Sequence, residues 1–153
     1  MKYKTIGAFK NVQNVGNCKA DTDLKVGMGV ILDRVAKTAK LPSSDAEAKA
    51  CHRIVTNIND KPEIPLLNDW NVIKKGEFVR ADDLTTVANL EAELAKDEIS
   101  TDFTTIAVGD KLVFGTDGLF TKATDVDGYK VFFEVIEKTA YMGAGVLAII
   151  RVQ

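Results

Sequence analysis

The last strand-like segment constrains this chain most. Val146, Ala148 and Ile150 fall on one face of an extended Val146 to Val152, and Leu147 and Ile149 fall on the other. Side chains alternate across a strand, so this segment is apolar on both sides. A strand of that kind has to lie inside a barrel or sandwich, or be covered by a partner. The chain must therefore supply neighbouring strands, and the segments before it read that way.

Val108 to Phe114 runs into Gly115-Thr116-Asp117-Gly118, a turn whose glycines can take positive φ, and Leu119 to Ala123 returns. Asp125-Val126-Asp127-Gly128 turns again into a long strand over Tyr129 to Ile136, and Met142-Gly143-Ala144-Gly145 is the last turn. Upstream, Leu24 to Asp33 is apolar on both faces, and Cys51 to Asn57 reads as a strand. Pro62 and Pro65 then enforce an extended, non-helical stretch. Trp70 to Ile73 and Gly76 to Arg80 look like two strands joined by a Lys74-Lys75-Gly76 turn. A faint internal echo links Lys25-Val26-Gly27 before Val30-Ile31-Leu32 with Ala107-Val108-Gly109 before Leu112-Val113-Phe114. Its physical content is a glycine at the bend entering a buried strand, although two copies alone do not make an array.

One main helix is expected, from Asp83 to Lys96. Asp82 or Asp83 would cap it, and Leu84, Val87, Leu90 and Leu94 would share a face. Asp45 to Lys49 reads as a helical turn or a loop. Residues 1–23 are polar and Asn-rich, broken by Tyr3, Ile6, Phe9, Val12 and Val15. The three-residue spacing of those five allows a helical stripe, but Gly7, Gly16 and the asparagines are poor helix formers. An extended N-terminal arm is the preferred reading, lying across its own domain or a neighbour, with the five apolar side chains expected to dock on a partner. The expected fold is mainly β: a small β-barrel or β-sandwich over residues 24–153, with one main α-helix and an arm over 1–23.

Charge and chemistry narrow the function classes. Lys plus Arg is 20 against 22 for Asp plus Glu, so the chain lacks the positive surplus of a nucleic-acid backbone binder. No apolar run approaches the ~20 residues of a membrane span, and Met1 to Thr5 does not lead into a signal-peptide core. Cys18 and Cys51 form no metal-type or framework pattern, and both are expected reduced, one or both of them buried. His52 cannot serve Cys51 as a catalytic base, because neighbours on a strand point to opposite faces. Zinc lacks closely spaced ligands. Set in a calcium-loop register, Asp125, Asp127, Gly128 and Glu134 fit, but Ala123 stands at the first ligand position and a strand comes where a helix is needed. Gly27-Met28-Gly29 lacks the third glycine of a dinucleotide loop, and the three serines have no nucleophile-elbow context. Asp82-Asp83 is explained by a helix start. No catalytic residue, cofactor or metal is expected.

The last third of the chain carries a resemblance. Val108-Gly109-Asp110-Lys111-Leu112, then Gly115 to Ala123, then Val131 to Thr139, closing on Gly145 to Val152, resembles the β-rich decoration or cement proteins of tailed-bacteriophage heads. The match is one of strands and glycine turns over about the last third of the chain, with an echo at Leu24 to Leu32. The Pro62–Pro65 segment and the expected helix lie outside the pattern. The resemblance implies a non-enzymatic virion protein, made in the host cytoplasm, that binds and stabilises the shell of a phage major capsid protein. It leaves room for a homo-oligomer. The alternative class is a small β-barrel module that binds a ligand or an oligonucleotide in a groove; an enzyme using His52, Asp125 or Asp127 is the least supported.

Overall fold

The computed structural model describes residues 1–3, 14–56 and 72–153. In chain order the first strands are β1 (Lys2–Tyr3), β2 (Asn14–Ala20), β3 (Leu24–Lys25), β4 (Gly29–Asp33) and β5 (Thr38–Lys40). After helix α1 (Asp45–Ala50) come β6 (Arg53–Val55), β7 (Val72–Ile73), β8 (Phe78–Asp83) and β9 (Glu91–Ala95). The last four are β10 (Lys111–Phe114), β11 (Phe120–Ala123), β12 (Val131–Thr139) and β13 (Gly145–Val152). The protein is mainly β.

Five of these strands close a barrel in the order β2-β5-β4-β6-β8, in which only the β2–β5 pair is parallel. A five-stranded barrel is narrow, so small side chains fit its interior. Cys18, Ala20, Ala39 and Ala81 occur there beside Val30, Val55 and Val79, all buried. The other large unit is an antiparallel sheet in the order β1-β9-β13-β12-β10-β11. Its inner face buries Ala92 and Leu94, Leu112 and Phe114, Val131, Phe133 and Val135, and Val146, Ala148 and Ile150. Phe120 stacks on Phe114 at 4.9 Å and meets Phe133 edge-on at 4.7 Å between ring centres.

The two units repeat one topology. At Gly27 and Gly109 the backbone takes φ of +93° and +90°. Gly27 N–H donates to Val55 O at 2.9 Å, and Val55 N–H returns to Met28 O at 2.9 Å. Gly109 and Val135 make the same exchange, through Val135 O at 2.8 Å and Asp110 O at 2.9 Å. Each bend enters a strand that pairs with a hairpin return on one side and a later strand on the other. The registers match: Val30↔Arg53 corresponds to Leu112↔Phe133, Val55↔Ala81 to Val135↔Ala148, and Arg53↔Asp83 to Phe133↔Ile150. The parallel Ala20↔Ala39 pair that closes the barrel has its counterpart in an isolated parallel bridge, Ile99↔Phe120. The faint sequence echo thus marks the bend of a repeated five-strand unit.

The barrel wall leans on the second unit. Gly29 N–H donates to Gly118 O at 2.7 Å, and a Cβ on Gly29 would lie 2.5 Å from the Phe114 ring. Cys51, Ile54 and Leu84, from the barrel side, join the same apolar cluster as Phe114 and Phe133.

Several expectations are corrected. The segment from Asp83 to Lys96 is not a helix: Asp83 ends β8, Leu84–Val87 is a 3-10 turn, and Glu91–Ala95 is a strand. The Asp83 cap is real, accepting from Thr85 N–H at 3.0 Å, but it serves a single turn. Asn89 at φ +64° then breaks the path, and asparagine tolerates that region. Glu91, Glu93 and Ala92, Leu94 alternate by two, and pairing between β1 and β13 overrides helical propensity. The only α-helix among the described residues is α1, where the Ser44 hydroxyl accepts from Glu47 N–H at 3.3 Å. Within the expected arm over residues 1–23, residues 14–20 form a barrel strand whose Cys18 and Ala20 are core, and 4–13 lie outside the described residues. Leu24 to Asp33 divides into β3 and β4 at the Gly27 bend. β7 and β8 flank the expected turn, but β7 pairs with β3 in a two-stranded sheet instead of with β8.

Candidate functional site

Strand β6 is three residues long and reaches β4 only at Gly29 and Val30. Beyond Val30, β4 has no strand on that side among the described residues, and a cleft opens there. Val30 to Arg34 form one wall, with Lys40, Glu47 of α1, His52 and Arg53 around a space of roughly 550 Å³.

Period-two alternation from Val55 points Arg53 into the barrel, where its pairing with Asp83 of β8 places the carboxylate. Arg53 Nη2 donates to Asp83 Oδ2 at 2.8 Å, and both residues are buried. Asp83 Oδ1 accepts from Thr85 N–H at 3.0 Å and from the Thr85 hydroxyl at 2.6 Å. Burial opposes ionisation of Asp83, but the Thr85 hydrogen bonds and the charges of Arg53 and His52 outweigh it and hold the carboxyl below its usual range. His52 Nε2 stands 4.0 Å from Asp83, with Nδ1 2.9 Å from Ala50 O. Arg53 Nη1 is buried without a hydrogen-bond partner among the described residues.

The other carboxylates of the cleft are already engaged. Asp33 Oδ1 accepts from Val35 and Ala36 N–H, each at 2.8 Å. Glu47 accepts from Lys40 Nζ at 2.8 Å and from Ser43 N–H and hydroxyl at 2.7 Å. The Lys40 bond, then those from Ser43, pull the Glu47 carboxyl down to about 2.

A different surface lies on the outward face of β12 and β13. The register puts Phe132 opposite Arg151, Glu134 opposite Ile149, and Leu147 beside Glu93 of β9. Phe132, Leu147 and Ile149 are half-buried there. Arg151 bridges to Glu134 through Nε at 2.9 Å and Nη2 at 2.8 Å, and Lys111 Nζ lies 5.7 Å from the Phe132 ring centre. The doubly apolar last strand is therefore interior to its sheet, with one face in the core and the other in this mixed stripe.

Of the five residues expected to bind a partner, the described residues include Tyr3 and the Val15 backbone. Tyr3 is half-buried against the chain's own core, with its hydroxyl 3.4 Å from Asp82 Oδ2. Burial, then the Asp82 carboxylate, raises its phenol above the usual range. The Val15 backbone pairs with Ala81 in the barrel. Ile6, Phe9 and Val12 lie outside the described residues.

Asp125 caps its own turn, accepting from Asp127 N–H at 2.9 Å, while Glu134 is held by Arg151. No group of three metal-ligating side chains occurs among the described residues. The Cys51 thiol is buried against Val30 O and Arg53 O, and burial pushes it up to about 12. Sequence reasoning missed Arg53, although an arginine two residues before a core valine in a strand was a usable signal. Neither a scan of protein-family models nor a search of curated proteins finds a match to this chain.

Proposed function

We propose that the protein is a non-enzymatic structural component of a tailed-phage virion, attached to the shell of the major capsid protein through the outward face of β12 and β13. The observation that carries this reading is the half-buried stripe of Phe132, Leu147 and Ile149. It lies on the strands whose pattern resembles decoration proteins, and the equivalent face of the barrel (Gly29 and Ile54) is already a packing surface within the chain. A stripe of apolar side chains rimmed by Glu134, Arg151 and Lys111 has the make-up of a protein contact, with an apolar centre and a polar edge. Many copies on one shell then add up weak single contacts.

The test is cosedimentation of the purified protein with shells assembled from the major capsid protein of a tailed phage carrying its gene. Saturable attachment is expected, without attachment to free single-stranded oligonucleotide. Attachment to the oligonucleotide and not to shells contradicts the reading.

A further inference from the structure

We propose that the cleft at the end of the barrel binds a single oxyanion group, phosphate or carboxylate, with Arg53 as its anchor and His52 and Arg34 beside it. This stands apart from capsid attachment and rests on three observations.

The first is the repeat. Arg53 and Asp83 occupy interior positions that Phe133 and Ile150 fill in the second unit, where both are fully buried core residues. The topology can therefore be built with an apolar pair at these positions. Burying an ion pair instead carries a desolvation penalty that well-packed apolar side chains avoid. The polar pair is not a requirement of the fold.

The second is incomplete satisfaction. Arg53 is only 7% exposed and lines the cleft, yet Nη1 has no partner among the described residues while Nη2 is spent on Asp83. A buried guanidinium nitrogen without an acceptor is costly, and an acceptor arriving in the cleft removes that penalty. Nη1 of the planar guanidinium fork keeps two N–H donors for an arriving phosphate or carboxylate oxygen, which a lysine ammonium does not reproduce.

The third is the balance of donors. Of the carboxylates around the cleft, Asp33 accepts two backbone N–H groups through Oδ1, Glu47 is spent on Lys40 and Ser43, and Asp83 on Arg53 and Thr85. Arg34, Lys40 and Arg53 supply more donors than those oxygens consume. Donors outnumber acceptors in the cleft, which favours an anion.

The experiment is titration of the full-length 15N-labelled protein with inorganic phosphate and, separately, with acetate, against sodium chloride at equal ionic strength and fixed pH. Saturable shifts confined to residues 30–34, 40 and 52–53 are expected with phosphate, acetate or both, and which of them saturates identifies the group. Arg53→Lys keeps the charge and loses the fork, so it should weaken binding about tenfold or more, the scale of one charge-assisted hydrogen bond. Should that variant unfold, Arg34→Ala with His52→Gln, neither of them a core side chain, should weaken binding several-fold. The proposal is overturned if neither anion gives saturable shifts by roughly 50 mM, where a site of millimolar Kd would be full. It is equally overturned if the Arg34→Ala/His52→Gln protein responds as the parent does.

Discussion

Gly29 lies where the barrel wall meets the aromatic cluster, and its backbone touches what a side chain would have to displace. A methyl group there would sit 2.5 Å from the Phe114 ring, which is itself locked against Phe120. Gly29→Ala should therefore lower stability by about 1–3 kcal/mol, the usual scale of overpacking, read as a shift in the denaturant midpoint. Cys51 makes a second residue-scale prediction. Its thiol is pushed up to about 12 by burial, so the folded state favours the neutral form. The stability from keeping it neutral is complete below the unfolded thiol's value near 9 and is lost as pH rises from there toward 12. Iodoacetamide at pH 8 should leave Cys51 unlabelled until denaturant is added; rapid labelling of the native protein would contradict its burial. The burial of Arg53 was legible from strand alternation, but a charged residue is read as outward by default, and only the register with Asp83 shows it turned in.

At the scale of elements, glycine turns and strand alternation carried most of the information. The Gly115 to Gly118 turn and the four strands of the last third are where the pattern puts them, because local turn chemistry and tertiary pairing agree there. Glu91-Ala92-Glu93-Leu94-Ala95 shows the opposite case. Its composition favours a helix, and Leu84, Val87, Leu90 and Leu94 suggest a stripe, but the open slot beside β13 takes it as a strand. Leu94 points into the core, so Leu94→Ala should cost about 2–5 kcal/mol in chemical unfolding. Native-state hydrogen exchange adds a sharper check. The Ile150 amide, which donates to Leu90 O at 2.9 Å, should exchange as slowly as the β12–β13 ladder. Fast exchange there would mean that β9 is not seated against β13.

For the whole molecule, closure of the barrel explains why residues 14–20 form a strand. The barrel has only five strands, so its first strand must come from the Asn-rich segment, where Asn17 and Lys19 are exposed while Cys18 and Ala20 face in. Nothing in the local sequence reveals this, because β2 finds its partners β5 and β8 far along the chain. Removing residues 1–20 should consequently open the barrel and lower the thermal midpoint, as seen by calorimetry; an unchanged midpoint would mean that β2 contributes nothing to closure. The second unit presents outward what the first uses inward, and capsid attachment through that face is the central claim. It is tested most directly by comparing the parent with Leu147→Glu/Ile149→Glu in cosedimentation with preformed shells. Circular dichroism must first confirm that the variant is folded. The account predicts that the variant stays in the supernatant while the parent saturates the shells, and equal occupancy by the two proteins would contradict it.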